Sequence, residues 1–149
     1  MATFLFKTEP SEYSFAHLVR DKRCTWTGVS NPAARIALRQ VKRGDRILIY
    51  HTGDEKAIVA EAKALTNAYA DPAQPGLNDR GEVNFPVVDL APVKLWATPI
   101  TLAAIKSDAR LKDFGLVKQS RLSVMPVSPQ QEVVLNALST GTKHNRIHA

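Results

Sequence analysis

Cysteine is almost missing: Cys24 is the single one in 149 residues. One thiol excludes a disulfide framework and any zinc module built on paired cysteines, including a deaminase-type site. No apolar run approaches the roughly 20 residues that span a bilayer, so no membrane segment is expected. The opening MATFLFKTEP has no basic flank and no small-residue cleavage site, which predicts no secretory signal. The chain also lacks G-x-G-x-x-G, G-x-x-x-x-G-K-[ST], H-E-x-x-H and G-x-S-x-G, the patterns that mark dinucleotide, phosphate, zinc-protease and serine-hydrolase sites. His17, His51, His144 and His148 are scattered, so neither a metal nor a cofactor is expected. These absences point to a cytoplasmic protein, or a nucleoid-associated one if the source is prokaryotic.

What is present suits one globular domain. Hydrophobic residues make up 44% and charged residues 23%, enough apolar content for a core and enough charge for a solvated surface. The domain is expected over residues 1–139, followed by a disordered polar tail at 140–149. The net charge of +6 is unevenly placed. Residues 20–46 hold eight Lys or Arg against Asp21 and Asp45, so this segment alone nets +6 and the remainder sums to zero. Concentrated positive charge attracts polyanions by releasing their counterions, and a nucleic-acid partner is the first expectation. An ordinary solvated basic face is the plainer alternative.

The chain reads as short strands interleaved with helices. Phe4-Leu5-Phe6 is a strand ended by Lys7-Thr8-Glu9-Pro10. Ser14 caps a short helix with Phe15, Leu18 and Val19 on one side. Asn31-Pro32 starts a helix running to Val41, with Ala34, Ala37, Leu38 and Val41 facing the core and Arg35, Arg39 and Lys42 forming a cationic stripe beside them. Residues 45–52 alternate as a strand with one buried face and turn at Gly53-Asp54, and 57–69 reads as a long partner strand, its alanines leaving a helix as the alternative. A loop covers 70–81. A strand at 82–96 carries Pro86 and Pro92, the mark of an edge or a bulge. Thr101 and Asp108 cap two short helical turns, residues 122–124 form a last strand, and Ser128-Pro129 opens a helix through Leu138. The tight turn between two strands favours a small antiparallel barrel or curled sheet over a doubly wound parallel one.

Polar and aromatic residues collect at the junctions of these elements. Lys7, Thr8 and Glu9 end the first strand, and Trp26 stands in an irregular segment before the basic helix. Tyr50 and His51 end the clearest strand, while Arg121, Leu122 and Ser123 open the last one. Each also has a plain structural role: Trp26 as core filler, Asn31 as a helix cap, His51 as a satisfied inward group, Glu9 as a partner for Lys7, and Ser123 as an outward alternation.

Several blocks resemble the EVE domain family of the PUA-like superfamily: F-L-F-K-T-E-P-S-E-Y-S-F at 4–15, W-T-G-V-S-N-P-A-A-R at 26–35, K-R-G-D-R-I-L-I-Y-H-T-G at 42–53, P-V-V-D-L-A-P-V at 86–93 and R-L-S-V-M-P-V at 121–127. They run in the family's order over about residues 3–139. The chain departs from the family's usual residues at Phe4, where Trp is common, at Thr27 and Ser30 within W-D-G-V-R-N, and at Thr52 within Y-H-S. The resemblance implies an α+β PUA-like pseudobarrel: a mainly antiparallel sheet curled into a small barrel with flanking helices. It also implies a pocket for a modified, flipped base, as in readers of modified cytosine in DNA, with RNA binding among PUA relatives. On that basis the base pocket is expected from Lys7, Thr8, Glu9, Trp26, Val29, Asn31, Tyr50, His51, Arg121, Leu122 and Ser123, with Arg35, Arg39 and Lys42 on the flanking phosphates. Trp26, Asn31, His51 and Ser123 are expected to converge. An enzyme using His51 and Glu9 as acid and base, and a protein-interaction module with a basic face, are the competing readings. The oligomeric state is left open.

Overall fold

A computed structural model describes residues 1–140. The expected tail therefore lies outside the described residues except for Thr140, which closes the last helix.

The sheet is seeded by β1 (Thr3–Thr8), an apolar run buried from Thr3 to Phe6. It lies between β3 (Arg46–His51) and β7 (Val124–Val127), pairing parallel to the first and antiparallel to the second. β4 (Ala57–Ala64) follows β3 antiparallel, and the long β6 (Pro86–Thr101) follows β4. β2 (Cys24–Trp26) ends the path on the far side of β6, while β5 (Tyr69–Ala70) pairs with the start of β6. The order is β2-β6-β4-β3-β1-β7, a mixed sheet whose single parallel pair is β1 with β3. This is an α+β pseudobarrel, curled but not closed by strand pairing, since β2 and β7 do not meet in the described sheet.

The helices fill what the sheet leaves open. α1 (Phe15–Asp21) starts at Ser14, whose hydroxyl accepts from the His17 N–H while His17 Nδ1 accepts from the Ser14 N–H, a reciprocal cap. α2 (Pro32–Arg39) packs on both β6 and β7 and so bridges the open side. Its Ala34, Ala37 and Leu38 are buried, as the spacing predicts. α3 (Leu102–Ser107) begins at the Thr101 cap, α4 (Gly115–Lys118) precedes β7, and α5 (Pro129–Ser139) begins at Ser128. Burying side chains such as Phe6 or Leu48 stabilises the fold by about 1.5–3 kcal/mol each, and both are fully enclosed.

Three expectations are corrected. β3 is buried on both faces, from Ile47 to His51, because a central strand with covered faces needs no polar side. The partner strand ends at Ala64, and Tyr69 belongs to the separate β5. Val19 is 52% exposed, at the outer edge of the stripe whose Phe15 and Leu18 are buried. The proline-marked bulge does occur: the β4–β6 register shifts beside the Ala62–Pro92 pair.

Two partly buried charge networks tie the layers together. Arg46 donates to Glu61 Oε1 at 2.8 Å, Glu132 Oε2 at 2.8 Å and Asn136 Oδ1 at 2.7 Å, linking β3 to β4 and α5. Asp89 accepts from Tyr69 Oη at 2.6 Å, Thr25 Oγ1 at 2.9 Å and Arg23 Nη2 at 2.5 Å. Burial would raise its pKa, but the bonds from Tyr69, Arg23 and Thr25 outweigh that and hold it below the ordinary value.

Candidate functional site

The Lys7–Tyr13 segment forms the first wall of a cleft. Proline at position 10 forces the chain out of β1, and the turn is closed by the Glu12 and Tyr13 N–H groups, both donating to the Glu9 carbonyl at 2.9 Å. Thr8 Oγ1 donates to the Tyr13 carbonyl at 2.6 Å. The Ser11 N–H and hydroxyl both donate to Glu9 Oε2, at 2.7 and 2.6 Å. Those two bonds hold the Glu9 carboxyl below its usual pKa, so it stands at the rim as an ionised acceptor.

β2 supplies the second wall. Alternation puts Cys24 and Trp26 on one face of the strand. The Trp26 ring leans on Phe6 at 5.6 Å between centroids and meets Tyr13 edge-on at 6.3 Å and 83°. Trp26 remains half-buried, so it is anchored by the core without being enclosed in it. Tyr13 donates its hydroxyl to Asp21 Oδ2 at 2.9 Å. Burial, followed by Cys24 and Asp21, pushes the phenol well above its ordinary pKa, which keeps it neutral. The cleft between these walls has a volume of about 370 Å³ and is lined by Lys7, Thr8, Glu9, Glu12, Tyr13, Cys24, Thr25, Trp26 and Thr27. Its size falls in the range of small-molecule sites, roughly 300–1,000 Å³.

The structure brings together Lys7, Thr8, Glu9 and Trp26 from the expected set. Val29 lines an adjoining hollow of about 220 Å³ with Arg35 and Phe85. Tyr50 lines a third hollow, on the other side of Lys7, whose ammonium lies 5.7 Å from the Tyr50 ring centroid. Asn31, His51, Arg121, Leu122 and Ser123 line none of these three, so Trp26, Asn31, His51 and Ser123 do not converge.

The physical reasons are local. Asn31 spends its side-chain oxygen on the Ala34 N–H at 3.0 Å, as a helix cap. His51 Nε2 accepts from the Phe15 N–H at 3.1 Å. A backbone N–H can only donate, so the ring proton sits on Nδ1, which faces Glu55 Oε1 at 2.7 Å. That makes His51 a strut between β3 and the start of α1. Leu122 is buried, and the Ser123 carbonyl accepts from the Lys7 N–H at 2.9 Å, extending the β1–β7 edge.

Glu12, Tyr13, Cys24, Thr25 and Thr27 are the lining residues that sequence reasoning missed. Tyr13 had a signal: it is the aromatic of the K-T-E-P-S-E-Y block, five residues after the end of a strand whose neighbours were already suspected.

The basic helix is less free than its stripe suggests. The Arg35 guanidinium lies over the Phe85 ring at 4.5 Å, and its Nε donates to the Val29 carbonyl at 2.9 Å. Arg39 Nε donates to the Val83 carbonyl at 2.6 Å, with Nη2 on the Asn84 carbonyl at 3.5 Å. Carbonyls leave both charges unneutralised but fix the side chains against the 83–85 segment. Lys42 is exposed. Among the described residues no cluster of three His, Cys, Asp or Glu could hold a metal ion, and no helix is long and apolar enough to cross a membrane.

Comparison with known proteins places this geometry. The family model of the EVE domain matches residues 2–137. Thymocyte nuclear protein 1 of Gallus gallus is 27% identical over 142 residues, covering 84% of this chain and 54% of that protein, so the chain spans about half the length of the curated relatives it matches. The solved structure of Rpa0253 from Rhodopseudomonas palustris superposes with a TM-score of 0.82 at 37% identity, over 94% of each chain. Human THYN1 in complex with DNA containing 5-methylcytosine superposes with a TM-score of 0.82 at 25% identity, over 93% of this chain and 98% of that one.

Proposed function

This chain belongs to the EVE domain family, and on that premise we propose that it is a non-catalytic DNA-binding domain that takes a modified, extruded cytosine into the Trp26 cleft. One observation carries the reading: a tryptophan held by the core on one side and left half-open on the other, beside an ionised carboxylate. An extruded base forfeits a few kcal/mol of pairing and stacking. Stacking on an aromatic ring returns about 1–3 kcal/mol. The base edge then needs fixed polar partners, and a carboxylate accepting from the exocyclic amine is the pairing that suits cytosine. Glu9 and Glu12 line the cleft and offer that acceptor. A methyl group buried in the same cleft adds about 0.8 kcal/mol, enough for a severalfold preference over the unmodified base. The human relative in complex with 5-methylcytosine DNA supports the choice of ligand. Both ring nitrogens of His51 are engaged, which supports binding over acid–base catalysis.

The test is an anisotropy titration with matched duplexes carrying cytosine or 5-methylcytosine at one position, and with the corresponding RNA. A severalfold tighter complex with the modified DNA, without change to the base on prolonged incubation, is the expected result. Equal affinity for modified and unmodified duplexes overturns the reading.

A further inference from the structure

The hollow on the other side of Lys7 has a volume of about 190 Å³, and Lys7, Lys56 and Lys106 all line it. The three come from the end of β1, the turn before β4 and helix α3, so only the tertiary fold gathers them. Among the described residues none of the three is ion-paired with a carboxylate. Lys7 Nζ donates to the Ser120 carbonyl at 2.8 Å, and burial draws its pKa down. Lys56 is held in place by its backbone: it adopts a left-handed φ of 46°, and its carbonyl accepts from the Leu102 N–H at 2.8 Å. Glu55, the acid beside it in sequence, faces His51 Nδ1 at 2.7 Å and lines a neighbouring hollow with Lys56 and Lys106 without an ion pair to either. Tyr50, Thr52 and Ser120 add polar groups to the wall, and Leu116 and Val117 add apolar surface. Like charges that converge against a partly apolar wall repel one another until an anion arrives, and that wall strengthens their attraction for it.

We propose that this hollow is a phosphodiester site, holding the backbone of the same polynucleotide whose extruded base enters the Trp26 cleft; the assignment rests on that reading. Lys7 lines both cavities, so the base and backbone sites adjoin across one side chain. The Trp26 cleft holds two carboxylates, Glu9 and Glu12, against one lysine, so it is the poorer place for a phosphate, although Glu9 also borders the lysine hollow at Gly53. Helix α2 offers Arg35 and Arg39 already fixed to carbonyls, whereas the ammonium groups of Lys56 and Lys106 carry no carboxylate partner. The strand would therefore run over the β1–α3 side, with α2 a secondary contact.

The experiment uses the full chain and the double variant Lys56→Glu/Lys106→Glu, both exposed positions, with Lys56→Gln/Lys106→Gln as a milder pair and circular dichroism melts to confirm folding. Affinity for 5-methylcytosine and cytosine duplexes is measured across salt concentrations. The expected result is weaker binding to both duplexes by the same factor, with the slope of log affinity on log salt shallower by about 2, one per lysine. An unchanged slope in the folded variants overturns the phosphate site, whatever the base preference. A shallower slope with no base preference in the parent protein leaves the phosphate site standing and removes the base reading instead. Inorganic phosphate, followed by amide shifts, separates a free-anion site: saturable phosphate binding without any effect of the substitutions on duplex affinity also overturns the proposal.

Discussion

The two hollows that share Lys7 are built on opposite terms. On one side, aromatic rings and carboxylates form a cleft suited to a flat, uncharged group. On the other, three lysines gather against aliphatic side chains, with no carboxylate ion-paired to them among the described residues and with Glu9 and Glu55 at the margins. A surface that binds anions broadly would mix these features. On the proposed reading, their separation across one residue divides charge from recognition: one wall would supply affinity that salt weakens, the other discrimination that salt barely touches.

That division makes the largest expected effect one that touches neither hollow. Arg46→Ala leaves Glu61 and Glu132 without their cation, and a mostly buried unpaired charge costs roughly 2–4 kcal/mol. Urea unfolding should show the loss, while base preference and salt slope of the folded fraction stay unchanged. A shift in either would show that the network reaches the binding face.

Trp26→Ala sharpens the contrast directly. Removing a stacking surface worth about 1–3 kcal/mol should abolish the preference for the modified duplex and leave the salt slope of the parent protein. Anisotropy across salt separates the two, and a flattened slope in this variant would mean that the cleft also holds phosphate.

Gly53 lies between the hollows and tests whether they are independent. It lines the lysine side, its φ is +75°, and a Cβ there would stand 2.5 Å from Glu9 Oε1. Gly53→Ala should cost about 1–2 kcal/mol from the left-handed backbone and push the Glu9 carboxylate aside, lowering base preference as well. Adding Glu9→Ala should recover only the steric part of the stability loss in thermal melts.

The smallest effect is in acid. Asp89 and Glu132 keep pKa values below the ordinary 3.8 and 4.5, burial being outweighed by Tyr69, Arg23 and Thr25 for the first and by Arg46 and Thr3 for the second. A depressed carboxyl contributes stability fully above its unfolded value and loses it as pH falls through the folded one. Melting temperature should be flat above about pH 5 and drop below it, and Asp89→Asn should remove part of that drop.

Much of this molecule can be read from local pattern. Ser14, Asn31, Thr101 and Ser128 cap the helices they were expected to cap, because a cap needs only its own next three residues. Ala34, Ala37, Leu38 and Val41 are buried as spaced. The candidate site was legible where a single block formed a wall, as Lys7-Thr8-Glu9 does, and at Trp26 on the facing wall. It misled where a polar residue already had a nearby backbone partner, as with Asn31 on the Ala34 N–H, or a strut to hold, as with His51.

Amino-acid order by itself determined the helix starts, the strands at 4–6 and 45–52, the bulge at Pro92 and the family to which they add up, since each depends on spacing, capping or φ restriction within a few residues. The strands expected at 57–69, 82–96 and 122–124 have other bounds in the fold. It could not determine that β1 lies parallel to β3, that Tyr13 meets the edge of Trp26, or that Lys56 and Lys106 share a hollow with Lys7. Those facts depend on which strands become neighbours, and long-range pairing is chosen by the burial of the whole sheet rather than by any one segment. Lys56 and Lys106 are isolated cations in the sequence; only the curl of β6 from β4 into α3 sets them on the same face.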